Sequence, residues 1–145
     1  MYTVTKELTW SSAHRLIGYQ GLCRHLHGHD YRALLTFTGN QLDNRSILID
    51  FKDIKRKCRK WIRLNWEHAT LVAKEDPTLI HFLKAEKNRH FITESSPTAE
   101  WIAKYLFDLI DQTLIPPDKG VALQRVTVLE NAQSSASYER IRESR

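Results

Sequence analysis

Cysteine is scarce: 145 residues hold only Cys23 and Cys58. Two thiols make no disulfide framework, which excludes the small cystine-stapled scaffolds and leaves each thiol a separate task. Glycine and proline are thin, at five and four, which excludes collagen-like and low-complexity chains. No apolar run approaches the roughly 20 residues of a membrane span, and Met1 to Lys6 lacks the basic-then-apolar pattern of a secretory leader. These absences point to a cytoplasmic protein with no membrane partner and with Cys23 reduced. The length suits one domain, residues 1–145, able to bury about two thirds of its unfolded surface in a single core.

Charge is not scarce. Lys and Arg number 22 against 17 Asp and Glu, a net +5 that would attract any polyanion. Much of the excess lies in residues 52–63, where Phe51, Ile54, Cys58, Trp61 and Ile62 follow helical spacing and basic side chains take the other positions. That pattern reads as the solvated outer face of an amphipathic helix, not as a nucleic-acid site.

The concentrated residue is histidine. The run Cys23-Arg24-His25-Leu26-His27-Gly28-His29 follows His14 by a short interval. Side chains two apart in a strand share a face about 6–7 Å apart, so His27 and His29 can reach one ion. Residues 3–13 and 27–41 both have strand character. Paired antiparallel, they would set His14 opposite His27 and His29, with Cys23 carried above by the loop 15–26. Three histidines and one open position make a catalytic zinc site. His25 shares their parity and is a secondary ligand candidate, whereas His81 and His90 read as surface residues. Cys58 and the four tryptophans read as packing.

A turn at 39–44 and a short apolar strand at 47–50 lead into the basic helix, which Asp50 can cap. A second helix is expected with Ser96 as cap and Pro97 at its first position. It runs to about Leu114, with Trp101, Ile102, Tyr105, Leu106, Leu109 and Ile110 on one face. Residues 121–130 and 134–141 read as a hairpin whose alternation switches near Val126. The connection 69–95 reads as a short helix followed by a strand-like His90-Phe91-Ile92-Thr93. The result is an α+β chain, a four-stranded antiparallel sheet with two helices on one face. Cys23 is suited to act as a general base if a cation favours its thiolate. Glu130, near the end of an apolar strand, needs a hydrogen-bonding partner to be buried there.

Taken in order, Ala13-His14-Arg15-Leu16, Cys23 to His29, Leu48-Ile49-Asp50-Phe51, Glu67-His68, Pro97-Thr98-Ala99-Glu100 and Val128-Leu129-Glu130 carry a resemblance across residues 3–140. The chain resembles the superfamily of 6-pyruvoyl- and 6-carboxy-tetrahydropterin synthases. The resemblance implies the tunnelling fold, in which sheets join edge to edge into a barrel within a homohexamer. It implies Zn2+ on His14, His27 and His29, and proton abstraction by Cys23 with His68 as relay and Glu67 as its acidic neighbour. Glu130 would grip the 2-amino and N3-H edge of a pterin, Thr98 would line the same pocket, and Glu100 is a secondary candidate.

Glu67 departs from the aspartate usual in the family. Three residues separate Cys23 from His27, as in bacterial 6-carboxy synthases of queuosine and 7-deazaguanine biosynthesis; the animal-type 6-pyruvoyl enzymes usually have five. The small-molecule substrate so implied is 7,8-dihydroneopterin triphosphate, converted to 6-carboxy-5,6,7,8-tetrahydropterin with release of acetaldehyde and triphosphate. A 6-pyruvoyl synthase and a non-catalytic pterin-binding protein are the alternatives.

Overall fold

The computed structural model describes residues 1–141. Its strands are β1 (Tyr2–His14), β2 (His27–Gly39), β3 (Ala69–Ala73), β4 (His90–Thr93), β5 (Ala122–Asn131) and β6 (Ser134–Glu139). Helix α1 covers residues 51–65, with a π-helical stretch at Lys55–Arg59 between two α-helical ends; α2 is Pro77–Ala85; α3 is Ala99–Leu109, continued by a π-helical turn at Ile110–Leu114.

Alternation builds the sheet. In β1 and β2, Leu8, Trp10, Tyr31, Ala33, Leu35 and Phe37 are buried on one face, while most intervening side chains face outward. The two strands pair antiparallel throughout, from Tyr2 opposite Gly39 to His14 opposite His27. β5 pairs antiparallel with β2 and β6 with β5, giving the expected hairpin. The switch of alternation in β5 is a bulge: Arg125 pairs with Thr36 and Leu123 with Phe37, leaving Gln124 without a partner. Ile54, Cys58 and Ile62 of α1 and Ile102, Ala103 and Leu106 of α3 close the core over the buried face.

The sheet has six strands in mixed orientation, not four antiparallel ones. Its order is β4-β3-β1-β2-β5-β6, with β3 parallel to both β1 and β4. β3 escaped the alternation test because all five of its residues are buried, so it has no polar face to reveal a period. Leu71 joins the main core, whereas Val72 points the other way and packs on Leu79 and Leu83 of α2. α2 is thus a third helix, on the face opposite α1 and α3.

Two local expectations also change. Residues 47–50 form no strand, because Asp43 accepts hydrogen bonds from the backbone N–H groups of Arg45 and Ile47 and ties the segment into a turn. The cap of α3 is Thr98, whose hydroxyl accepts from Trp101 N–H, and Pro97 precedes that cap. Asp50 caps α1 as expected.

α1 holds seven basic residues and one acidic residue, a net +6, so the remainder of the chain nets −1. Lys52, Lys55, Arg56, Lys60 and Arg63 are all exposed. Among the described residues no helix is long and apolar enough to cross a membrane.

Candidate metal centre

The antiparallel register does what the histidine spacing requires. His14 ends β1, His27 begins β2 directly opposite, and His29 lies two residues further on the same face. One ring nitrogen from each falls within 4.8 Å of the others. His25 is not in the group, because β2 begins only at His27.

Backbone carbonyls set the tautomers. His14 Nδ1–H donates to Pro97 O at 2.7 Å, and His27 Nδ1–H donates to His25 O at 2.7 Å. Both Nε2 atoms are then bare acceptors, and they face each other at 3.2 Å. Two lone pairs at that distance repel unless a cation lies between them. His29 Nε2 is buried with no hydrogen-bond partner, and Glu130 Oε2 is 3.9 Å away. Ring nitrogens converging from three imidazoles, two of the rings held from outside by backbone carbonyls, are what a divalent metal requires of its ligands.

The electrostatics of His14 and His29 agree with neutral, lone-pair-bearing rings. Burial holds His14 down to about 4, and neighbouring His27 and His29 add to the effect against the Pro97 hydrogen bond, which raises it. Burial also lowers His29, opposed by the Glu130 carboxylate. Tyr31, fully buried, places its hydroxyl 3.2 Å from His14 Nδ1; burial and then Glu130 push its phenol upward, so it stays protonated.

A cleft of about 390 Å³ opens beside the group, lined by His29, Asp30, His68, Thr70 and the β1 residues Ser11, Ser12 and Ala13. His68 reaches it through an unusual backbone. Its φ of 55° turns the chain sharply between α1 and β3, and its N–H donates to Ser11 O. The Glu67 carboxylate accepts from Ser11 N–H at 3.2 Å and lies 3.6 Å from His68 Nε2. Glu67 and His68 stand just past the C-terminus of α1, where Glu67 N–H donates to Ile62 O, and both are tied to β1 through Ser11.

The other candidates are distributed unequally. Glu130 stands at the end of β5, within reach of His29. Thr98 spends its hydroxyl on the α3 cap, next to the Pro97 carbonyl that orients His14. Glu100 is exposed in the first turn of α3. Cys23 stands apart, half-buried on a 3-10 turn (Leu22–Arg24) and outside the residues lining the cleft.

Sequence reasoning missed Tyr31, Pro97 and the ion pair of Arg15 with Asp76. In that pair Arg15 Nε and Nη2 each donate to one carboxylate oxygen at 2.6 Å, and the guanidinium holds Asp76 below the usual carboxylate range. Tyr31 was readable, because it continues the parity of His27 and His29. The other two join segments remote in sequence and left no local signal.

Comparison with known proteins supplies the family. The family model described as 6-pyruvoyl tetrahydropterin synthase matches residues 3–141. A Rickettsia felis relative named 6-carboxy-5,6,7,8-tetrahydropterin synthase is 31% identical over 107 residues, 73% of this chain and 78% of the relative. Among solved structures, an uncharacterised Wolinella succinogenes protein superposes with a TM-score of 0.84 at 20% identity, covering 97% of this chain and 98% of its own. Caenorhabditis elegans 6-pyruvoyl tetrahydropterin synthase gives 0.71 at 20% identity, covering 97% and 96%. At such identities the superpositions speak for a shared fold.

Proposed function

Because the chain belongs to the 6-pyruvoyl tetrahydropterin synthase family, we propose that it is a zinc-dependent 6-carboxy-5,6,7,8-tetrahydropterin synthase. Its substrates are 7,8-dihydroneopterin triphosphate and one water; the side chain is cut to leave 6-carboxy-tetrahydropterin, with acetaldehyde and triphosphate released, on the route to 7-deazaguanine and queuosine. The observation that carries this reading is the set of three converging imidazole nitrogens, two of them fixed by backbone carbonyls, with the Glu130 carboxylate alongside. The three-residue interval between Cys23 and His27 and the names of the bacterial relatives favour the 6-carboxy product.

His14, His27 and His29 would hold the zinc, which supplies Lewis-acid polarisation of oxygens on the substrate side chain. Each chain residue has a distinct task. Glu130 accepts the two adjacent donors of the pterin edge and so aims the side chain at the histidine group. Cys23 takes a proton from that side chain as thiolate, and His68 relays protons with its ring oriented by Glu67.

Cys23 and His68 line different parts of one subunit, so their partnership is completed between subunits of a homohexamer, where sheet edges join into a barrel. The open outer edges of β4 and β6 are suited to such joining.

The test is metal analysis and mass spectrometry of the product. One zinc per chain and a 6-carboxy product with acetaldehyde are expected; a 6-pyruvoyl product would reassign the reaction. Pterin binding without turnover would reduce the protein to a binding module.

A further inference from the structure

The Arg15–Asp76 pair lies outside the histidine group and takes no part in the chemistry above. Resting on the reading of Cys23 as a proton-transfer group, we infer that Asp76 is a positioning residue: through Arg15 it fastens the loop that carries Cys23.

Within its own subunit the loop has little else to hold it. Backbone N–H groups of the loop close on the loop itself, Leu16 donating to Cys23 O, Arg24 to Gly21 O and His25 to Leu22 O, and at its far end the His25 carbonyl accepts from His27 Nδ1–H of β2. Burial does not anchor it either, since Ile17, Tyr19 and Leu22 are 45%, 52% and 85% exposed. Arg15 is the first residue beyond β1 and stands directly before Leu16, whose N–H reaches the Cys23 carbonyl at 2.9 Å. A side chain that fixes Arg15 therefore fixes the base of the loop at the point where Cys23 is tied to it.

Asp76 is built to do this. It is 6% exposed, offers one oxygen to each of two guanidinium nitrogens, and caps α2 by accepting from Leu79 N–H at 3.2 Å. α2 is itself seated on β3 through Leu79, Leu83 and Val72. A planar guanidinium gripped at two atoms cannot swivel as a lysine would. The segment β3–α2–β4 thus supplies the anchorage for a cysteine some fifty residues before it in sequence.

Asp76→Asn separates latch from cap, because asparagine keeps a side-chain oxygen for Leu79 N–H while losing the charge that holds Arg15. Arg15→Gln releases the latch from the other side and leaves the cap untouched. Asp76→Glu keeps the charge. The assembled protein would be alkylated with iodoacetamide and mapped by mass spectrometry, with buried Cys58 as an internal gauge of the fold, since burial pushes its thiol up to about 12.

Loss of a charge-assisted pair predicts roughly tenfold faster Cys23 alkylation in Asp76→Asn and Arg15→Gln. Metal content should be unchanged, Cys58 protected and Asp76→Glu close to the parent. Turnover should fall about tenfold in kcat with KM nearly constant, because only the alignment of the proton-transfer group is lost.

Unchanged Cys23 alkylation in both variants would overturn the inference. So would simultaneous exposure of Cys58, which would make the pair a general support of the fold. Faster Cys23 alkylation in a protein whose parent form turns over no pterin triphosphate would leave the latch standing and remove the reaction assigned to it.

Discussion

Acidifying the metal-free protein should destabilise it through one residue more than any other. His14 is 1% exposed and is held down to about 4, whereas the unfolded chain restores its ordinary value near 6.5. The folded value is the lower one, so the unfolded chain takes up the proton first. Stability from this residue is complete above about 6.5, is lost as pH falls towards about 4, and levels off below. At one pKa unit per 1.36 kcal/mol the full loss is roughly 3.4 kcal/mol, and about 2 kcal/mol of it falls between about pH 7.5 and pH 5.

Urea unfolding in the presence of a chelator, at fixed protein concentration, measures this directly. His14→Asn is the proper reference, since the asparagine NH2 stands where Nδ1–H donates to Pro97 O but does not titrate. The parent should lose about 2 kcal/mol more than His14→Asn over that interval. Equal losses in the two proteins would refute the neutral, carbonyl-oriented imidazole on which the metal centre depends. Saturating zinc should offset much of the parent's loss at the mild end of the range, because binding to the folded state alone adds stability.

Other outcomes follow from single contacts. Gly28→Ala would set a Cβ 3.0 Å from Ser12 O, pushing β2 off β1 between the two ligands; zinc affinity should drop by about tenfold, read by competition with a chromophoric chelator. Thr98→Ala should lower stability by about 1 kcal/mol through its lost helix cap, and a steady-state KM unchanged by it would remove Thr98 from the pterin pocket. Mixing Cys23→Ala with His68→Ala after dissociation and reassembly should restore part of the turnover that each lacks alone, whereas a fully active monomer in sedimentation would contradict the shared site.

What was legible in the sequence is what a short period can encode. A two-residue repeat places His27 and His29 on one face, and the long antiparallel register brings His14 to them without any further information. Cys58 could be assigned to the core for the same reason, by helical spacing with Ile54 and Ile62. β3 was hidden because burial on both faces erases the polar half of the pattern. The start of α3 moved from Ser96 to Thr98 because several capping residues stand close together and only the hydrogen bond to Trp101 chooses among them. Pro97 lies 83 residues from His14, and Asp76 lies 61 from Arg15. Contacts at such separations have no periodic trace in a single chain.

The placement of charge on α1 has a consequence for how the molecule behaves as an electrical object. With +6 on one helix and −1 on everything else, it is a nearly neutral body with a cationic rod along one flank. In an assembly each subunit contributes one such rod, so the patch of charge, more than the net charge, governs the approach to surfaces. On a sulfonate matrix the protein should adsorb through its α1 faces and elute at a salt concentration above that expected of the same charge spread evenly. Neutralising three of the α1 cations should shift that elution far more than neutralising three elsewhere, though the titration curve would register the two changes alike.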